Sequence, residues 1–342
     1  MSRSFFGLEY LHWWNKGRSL PPLVTGGPTG ILPQSPILFG NQDVGGGLQA
    51  GGRLTAGLWL DDCKESAVVL RAFANEGDNT PFAATTGDTP ILAVPFNDTF
   101  GLPGPNSIIV GNVATNTVPG AISASASNDV LGGDIYYRTR LDSGCDFRID
   151  LLGGFQYSRI DDDLVLATAS PGGGGTAAFS SRDLFEASNK FAAGELGLLG
   201  ELNQGPVTIQ MMGKIGLGNM QQKVAISGTG LQGNTATPGG IFAQNAAFGF
   251  PFNGGVHERD VLAWSPEASV KLIWELRDNV SITVGYTFLY WTNVALAGDH
   301  VDTSINAPVI FGGAPNANNP TFAFQDTDFW VQTIDIGFAV RY

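Results

Sequence analysis

The feature that most constrains this chain is a strict alternation of apolar and polar side chains, sustained for about nine to eleven residues at a time. From Val280 the residues Val280, Ile282, Val284, Tyr286, Phe288 and Tyr290 share one face. Ser281, Thr283, Gly285, Thr287 and Asn293 share the other, interrupted by Leu289 and Trp291. Leu131, Ile135, Tyr137 and Leu141 oppose Asp134, Tyr136, Arg138 and Arg140, and Ile149, Leu151, Phe155 and Tyr157 oppose Arg148, Asp150 and Gln156. Between Ala268 and Leu276, Ala268, Val270, Leu272, Trp274 and Leu276 stand against Glu267, Lys271 and Glu275. Segments of that length and period match tilted strands crossing a hydrocarbon layer.

Composition narrows the setting. Only 14% of residues are charged and 47 are glycine, yet no apolar run approaches the ~18–20 residues that a membrane-crossing helix requires. A net charge of -13 argues against nucleic acid as a partner, because phosphate binding needs a basic surface. The strands are joined alternately by short turns and long Gly/Pro/Asn-rich stretches. Short turns fall at Asp61–Ser66, Asp142–Gly144, Asn203–Pro206 and Arg277–Asn279. The long stretches cover about 15–46, 76–124, 169–181, 229–257 and 298–327. That sorting is the rim asymmetry of outer-membrane barrels, and it puts both termini on the short-turn, periplasmic rim. A soluble β-sandwich also alternates, but it has no reason to sort its loops or to leave aromatic outer faces uncovered. The expected fold is all-β, a single closed antiparallel up-and-down transmembrane barrel over 1–342 with about ten strands. Twelve is the alternative, if Ile91–Phe96 and Ser107–Val113 are wall strands.

A lysine or arginine on the lipid face near the midplane costs about 2–4 kcal/mol, so charges in the strands should point inward. The residues in the inward phase are Glu9, Arg53, Arg71, Asp134, Arg138, Arg140, Arg148, Asp150, Glu195, Glu201, Lys214, Glu267, Lys271, Glu275 and Asp335. They are the expected lumen-lining set, either tuning passage through a polar channel or interlocking as ion pairs. Barrels of about eight strands are filled by side chains and wide aqueous channels appear near sixteen, so ten or twelve strands imply a constricted or plugged lumen, or a narrow pore at most. Pro266 removes a ladder donor and is expected near the upper rim.

The last strand places Trp330, Ile334, Ile336, Phe338, Val340 and Tyr342 on one face. Its end, with Gly337, Val340 and a terminal Tyr342, looks like the signal by which the barrel assembly machinery recognises its clients, an edge available for β-augmentation. The chain also resembles a planctomycete family of outer-membrane β-barrel porins. Carrying the resemblance are Phe6 to Trp14 (FGLEYLHWW), Gly52 to Cys63 (GRLTAGLWLDDC), Cys145 to Phe155 (CDFRIDLLGGF), Gly285 to Asn293 (GYTFLYWTN) and Asp328-Phe329-Trp330. These blocks run in order along nearly the whole chain, whereas 78–120 and 229–257 carry no match. The resemblance implies an outer-membrane location and architecture, and no particular solute. Export requires a signal peptide, so the numbering is expected to begin on the processed chain.

Candidate chemistry is sparse. Cys63 and Cys145 each fall at a short turn in an oxidising compartment; a disulfide between them, free thiols, or pairing with another molecule are all open. Trp13, Tyr136 and Trp291 are in the inward phase and fit a plug. His12, His257 and His300 lie toward the long-loop rim with Asp299 and Asp302, but no serine sits in a nucleophile context. The acidic run Asp161-Asp162-Asp163 reads as a solvated turn rather than a cation loop. No cofactor or metal is expected, and no enzyme. The partners expected are outer-membrane lipid, the assembly machinery and, as an open option, further copies of the chain. Function is expected to be porin-like, a narrow or constricted channel for small hydrophilic solutes, with a closed barrel anchoring surface loops as the alternative and a loop-rim enzyme as a remote one.

Overall fold

The computed structural model describes residues 3–114, 118–172, 177–233, 241–244, 246–250, 252–311 and 316–342. Ten wall strands close into one antiparallel ring. They are β1 (Ser4–Asn15), β2 (Leu48–Trp59), β3 (Ser66–Asn75), β4 (Ala121–Ser143), β5 (Phe147–Ser170), β6 (Phe179–Gln204), β7 (Val207–Gly233), β8 (Gly255–Arg277), β9 (Val280–Val294) and β10 (Thr327–Arg341). Each pairs with its neighbour in sequence, and β10 returns to β1 from Phe5↔Arg341 to Asn15↔Val331. Closure is what a bilayer demands, since an unpaired strand edge in hydrocarbon leaves backbone groups unsatisfied. After a break at Glu76-Gly77, β3 is continued by Asp78–Thr85, which pairs with the upper part of β4. Gly337 shows how tight the closing seam is. A Cβ there would lie 2.2 Å from the Leu8 carbonyl oxygen, so this member of the terminal motif also has a local packing reason to be glycine.

The strands are of two lengths. β1 and β2 have 12 residues and β9 and β10 have 15, whereas β4 to β8 have between 23 and 27. About ten residues cross the hydrocarbon, so more than half of each long strand stands beyond it. The alternation keeps its phase along these strands while its polarity changes over. In the lower part of β4, Leu131, Ile135 and Tyr137 are exposed on the outer face and Asp134 and Arg138 are buried inside. In its upper part Ser123 and Asp129 face out, and Ile122, Ala124, Ala126 and Val130 are buried inside. β6 repeats this, with Leu196 and Leu198 outside below, Glu186 and Lys190 outside above, and Phe185, Ala187 and Phe191 inside. Arg159, Lys190, Gln221 and Asp260 stand in one cross-strand row above the apolar belt. Acyl chains set the lower polarity. Water outside and protein inside set the upper one.

The protein inside is a plug built from the long connections. A small sheet orders Gly104–Asn112, Ile91–Asp98, Val24–Gly26 and Ile37–Phe39, with Ser304-Ile305 added parallel to Asn97-Asp98. Ile91 to Phe96 are buried throughout, with Leu92, Ala93 and Val94 fully so. Leu92, Val94 and Phe96 share a core with Ile122, Leu166, Phe185 and Val224 of the upper wall. This corrects the twelve-strand alternative, because neither Ile91–Phe96 nor Ser107–Val113 is in the wall. A run that is apolar on both faces cannot serve a wall with one wet face, and it was free to enter the interior. The strands also take up parts of the expected loops, at 121–124, 169–170, 179–181, 229–233 and 255–257. Pro266 ends the β8–β9 ladder at Glu267↔Leu289 and is not at the rim, since β8 runs on to Gly255. Above it side chains replace the ladder: the Trp264 N–H donates to Thr292 Oγ1 at 3.1 Å and Asn293 Nδ2 donates to the Leu262 carbonyl at 2.8 Å. No helix among the described residues is long and apolar enough to cross a membrane.

The inverted polarity makes an asymmetric prediction on one face of β6. Leu196→Lys costs about 2–4 kcal/mol in unfolding from lipid vesicles, whereas Lys190→Leu, six residues further up, changes stability by less than about 1 kcal/mol. Equal costs at the two positions would contradict the placement of the bilayer.

Candidate functional site

In the lower lumen charged side chains from all around the ring converge, and they are layered. Nearest the short-turn rim is a cavity of about 300 Å3, lined in part by Phe5, Trp59, Arg138, Arg148 and Lys271. The guanidiniums of Arg138 and Arg148 lie 5.1 and 5.0 Å from the Trp59 ring centre. Both also meet Asp150, a fully buried carboxylate to which Arg148 Nε donates at 2.7 Å. Arg138 Nη2 donates to Glu201 at 2.9 Å, and Gln210 donates to the same Glu201 oxygen at 3.0 Å. Above this, the space around Arg53, Arg71 and Tyr136 narrows to about 80 Å3, room for only a few waters.

The next layer is a set of buried ion pairs. Arg53 on β2 donates to Glu9 on β1 at 2.7 Å and pairs with Asp335 on β10, while Thr287 donates to Asp335 at 2.7 Å. Arg71 on β3 binds Asp134 on β4 and makes a two-pronged contact with Glu267 on β8. In a ring of ten, β8 stands opposite β3, so one arginine and one glutamate bridge the whole lumen. Lys214 on β7 meets Glu195 at 2.8 Å, Glu267 at 3.4 Å and Asp134, with the Tyr136 ring centre 5.5 Å away. All these charged side chains are 7% exposed or less. Each forfeits hydration worth several kcal/mol, which only close multidentate pairing can offset. Above them lies an apolar layer that includes Leu11, Trp13, Phe73, Phe191, Trp291 and Phe329.

Of the sequence-predicted set, Glu9, Arg53, Arg71, Asp134, Arg138, Asp150, Glu195, Lys214, Glu267 and Asp335 are buried inside the ring. Arg148, Glu201 and Lys271 border the lower cavity. Arg140 and Glu275 do not reach the lumen. Arg140 donates to the Cys63 carbonyl at 2.9 Å and Glu275 pairs with the exposed Arg341 at 2.7 Å, both at the rim. The reason is local, because register shifts at Arg140/Asp142 and Glu275/Arg277 break the alternation beside each of them. Cys63 and Cys145 are exposed free thiols, so the disulfide alternative is not formed. Each occupies a separately closed turn, one through Lys64 N–H to Asp61 O and the other through Gly144 N–H to Phe147 O.

Sequence reasoning missed the residues that hold the plug. Arg18 pairs with Asp162 and Asp78 and donates to the Ser127 carbonyl at 2.7 Å. Asn189 exchanges two hydrogen bonds with the Ala295 backbone, both 2.8 Å. Asp183 accepts backbone N–H bonds from Ala247, Phe248 and Gly249 at 3.1, 2.7 and 2.6 Å. Asp161-Asp162-Asp163 is therefore mid-strand and not a solvated turn, with Asp162 inward and its neighbours outward. The available signal was a lone inward-phase polar residue between Ile160 and Leu164. The histidines hold structure. His300 Nδ1 lies 2.7 Å from the Leu296 carbonyl, and its Nε2 accepts from the Gln325 N–H at 3.3 Å. His257 stacks on Phe322 with ring centres 3.6 Å apart, and His12 faces outward beside Trp14. Among the described residues no group of three or more His, Cys, Asp or Glu could hold a metal ion.

Burial pushes the Asp183 carboxyl up to about 6, with the three backbone donors opposing the rise. Its folded value lies above the unfolded one, near 3.9, so its contribution is complete below about pH 4 and lost as pH rises through about 6. The plug should thus be held more tightly at pH 5 than at pH 7, by about 1.3 kcal/mol from this group. Hydrogen exchange at 247–249, corrected for its intrinsic pH dependence, should report this, and Asp183→Asn should abolish it. Equal protection at both pH values in the native chain would refute the assignment.

The fold can be set beside known structures. The outer-membrane protease OmpT of Escherichia coli aligns over 99% of this chain and 97% of its own, with 10% identity and a TM-score of 0.42. The translocator domain of the autotransporter NalP from Neisseria meningitidis aligns over 100% and 89%, with 10% identity and a TM-score of 0.33. A Pseudomonas aeruginosa FadL homologue aligns over 99% and 90%, with 8% identity and a TM-score of 0.24. A search of curated proteins gives no match. The sequence itself is more specific: a family model matches residues 5–342, and the chain belongs to that family, described as Putative beta barrel porin-7 (BBP7).

Proposed function

We propose that this porin-like barrel is closed to free diffusion in the bacterial outer membrane and serves as a rigid anchor for its extended, plugged outer half. The observation carrying this reading is the succession of seals along one axis. Arg71 and Glu267 bridge opposite walls, an aromatic and aliphatic layer lies above them, and the plug sheet fills the long-strand half. An ion entering from the short-turn side would have to break buried pairs, at about 3–5 kcal/mol each, and then enter an apolar layer without hydration. The short-turn rim is read as periplasmic from the loop asymmetry. A second reading, a narrow channel for small hydrophilic solutes, draws support from the charged cavity open at that rim. It requires the plug and the Trp13–Trp291 layer to move.

Planar-bilayer recording separates the two readings. The native chain should show no discrete conductance steps, and Arg71→Ala should cost about 3–5 kcal/mol of stability without opening a pore, because the layer above still seals. Regular steps from the native barrel would favour the channel and reject the anchor.

A further inference from the structure

The lower cavity has a chemistry that the anchor reading does not use. In a chain of net charge -13, its lining carries five cations, Lys64, Arg138, Arg148, Lys271 and Arg341, and two carboxylates, Glu9 and Glu201. Asp150 and Glu275 stand just behind the lining and partner three of these cations, which leaves the neighbourhood with an excess of one positive charge. The two central guanidiniums are already oriented, both by the Trp59 ring and by the buried Asp150 carboxylate. Arg148 spends Nε on Asp150 and Nη1 on the Lys64 carbonyl at 2.7 Å, and its Nη2 has no hydrogen-bond partner. The apolar part of the lining comes from Phe5, Trp59 and Ile273, with Phe5 and Trp59 ring centres 6.0 Å apart.

We propose that this cavity is a binding site for a small organic anion that carries one carboxylate on an aromatic or branched apolar body, taken up from the short-turn side. Fixed guanidiniums bind carboxylates without the ordering cost that a free arginine incurs. A cavity of about 300 Å3 stands at the small end of ligand sites, so the ligand is no larger than a compact single-ring acid. The carboxylate would face Arg148 and Lys64, and the apolar body would lie along Phe5 and Trp59. The site stands whether or not the barrel conducts, since nothing in it requires the seals above to open.

The test uses the full chain in detergent micelles with benzoate as the probe, followed by calorimetry after subtraction of empty micelles. Saturable binding is expected, with the neutral isostere benzamide at least about tenfold weaker, a difference of about 1.4 kcal/mol. Arg148→Gln should weaken benzoate about tenfold, whereas Lys223→Asn on the outer face should leave it unchanged. Arg148 also holds Asp150, so Lys64→Asn on the exposed turn gives a second variant, expected to weaken benzoate about threefold in barrels that still migrate as compact species on unheated gels. Absence of saturable benzoate binding overturns the proposal. So does benzamide binding as well as benzoate, or full affinity in both variants.

Discussion

Everything in this structure depends on where the acyl chains end. Within the hydrocarbon layer no water is available to backbone groups, so the sheet has to close and its outward side chains have to be apolar. Above that layer neither condition holds. β4 to β7 continue there with the same side-chain phase but with serine, aspartate, glutamate and lysine outward and mostly aliphatic side chains inward, whereas β8 turns His257 and Arg259 inward. β1, β2, β9 and β10 stop much sooner, and the ring becomes an open trough. An apolar concave surface facing water is unstable, and the long connections cover it. The plug is the second half of a core whose first half is the wall.

Two kinds of interior result, separated by the layer of Trp13, Trp291 and Phe329. In the lower interior, charges bind charges. Arg53, Arg71 and Lys214 are each shared among two or three carboxylates from neighbouring and opposite strands, so the pairs tie the ring across its diameter as well as around it. In the upper interior, single polar residues anchor loop backbone against an apolar background, as Asp183 does for Ala247 to Gly249 and Asn189 for Ala295. Isolated anchors of this second kind include Asp183, whose carboxyl is held near neutrality's acid side by burial, and that couples the plug to pH.

The sequence made the wall legible because period two over Leu131–Leu141 or Val280–Tyr290 has only one geometric meaning when each lysine and arginine must avoid lipid. The inward phase of Arg53, Arg71, Lys214 and Glu267 followed from that alone. Which of them meet did not follow, because contacts across a lumen join strands far apart in sequence, as with Arg71 and Glu267. Strand ends were misread at Arg140 and Glu275, where bulges shift the register and no residue type announces them. The upper half was least legible. A strand that is polar outside and apolar inside alternates just as well as a membrane strand, so Phe185–Lys190 and Asp161–Asp163 gave no sign of which side faced water. Ile91–Phe96 lacked the alternation, and that absence was the mark of an interior strand.

The inversion of polarity along a single strand can be measured directly. With Cys63 and Cys145 replaced by serine, spin labels placed one at a time at outward positions 182, 186, 190, 196 and 198 of β6 report contact with molecular oxygen, enriched in acyl chains, or with a water-soluble nickel complex. The labels at 196 and 198 should favour oxygen and those at 182, 186 and 190 the nickel complex, with the change falling between 190 and 196. Oxygen-dominated contact at all five positions, or a water-exposed label at 196, would contradict the account.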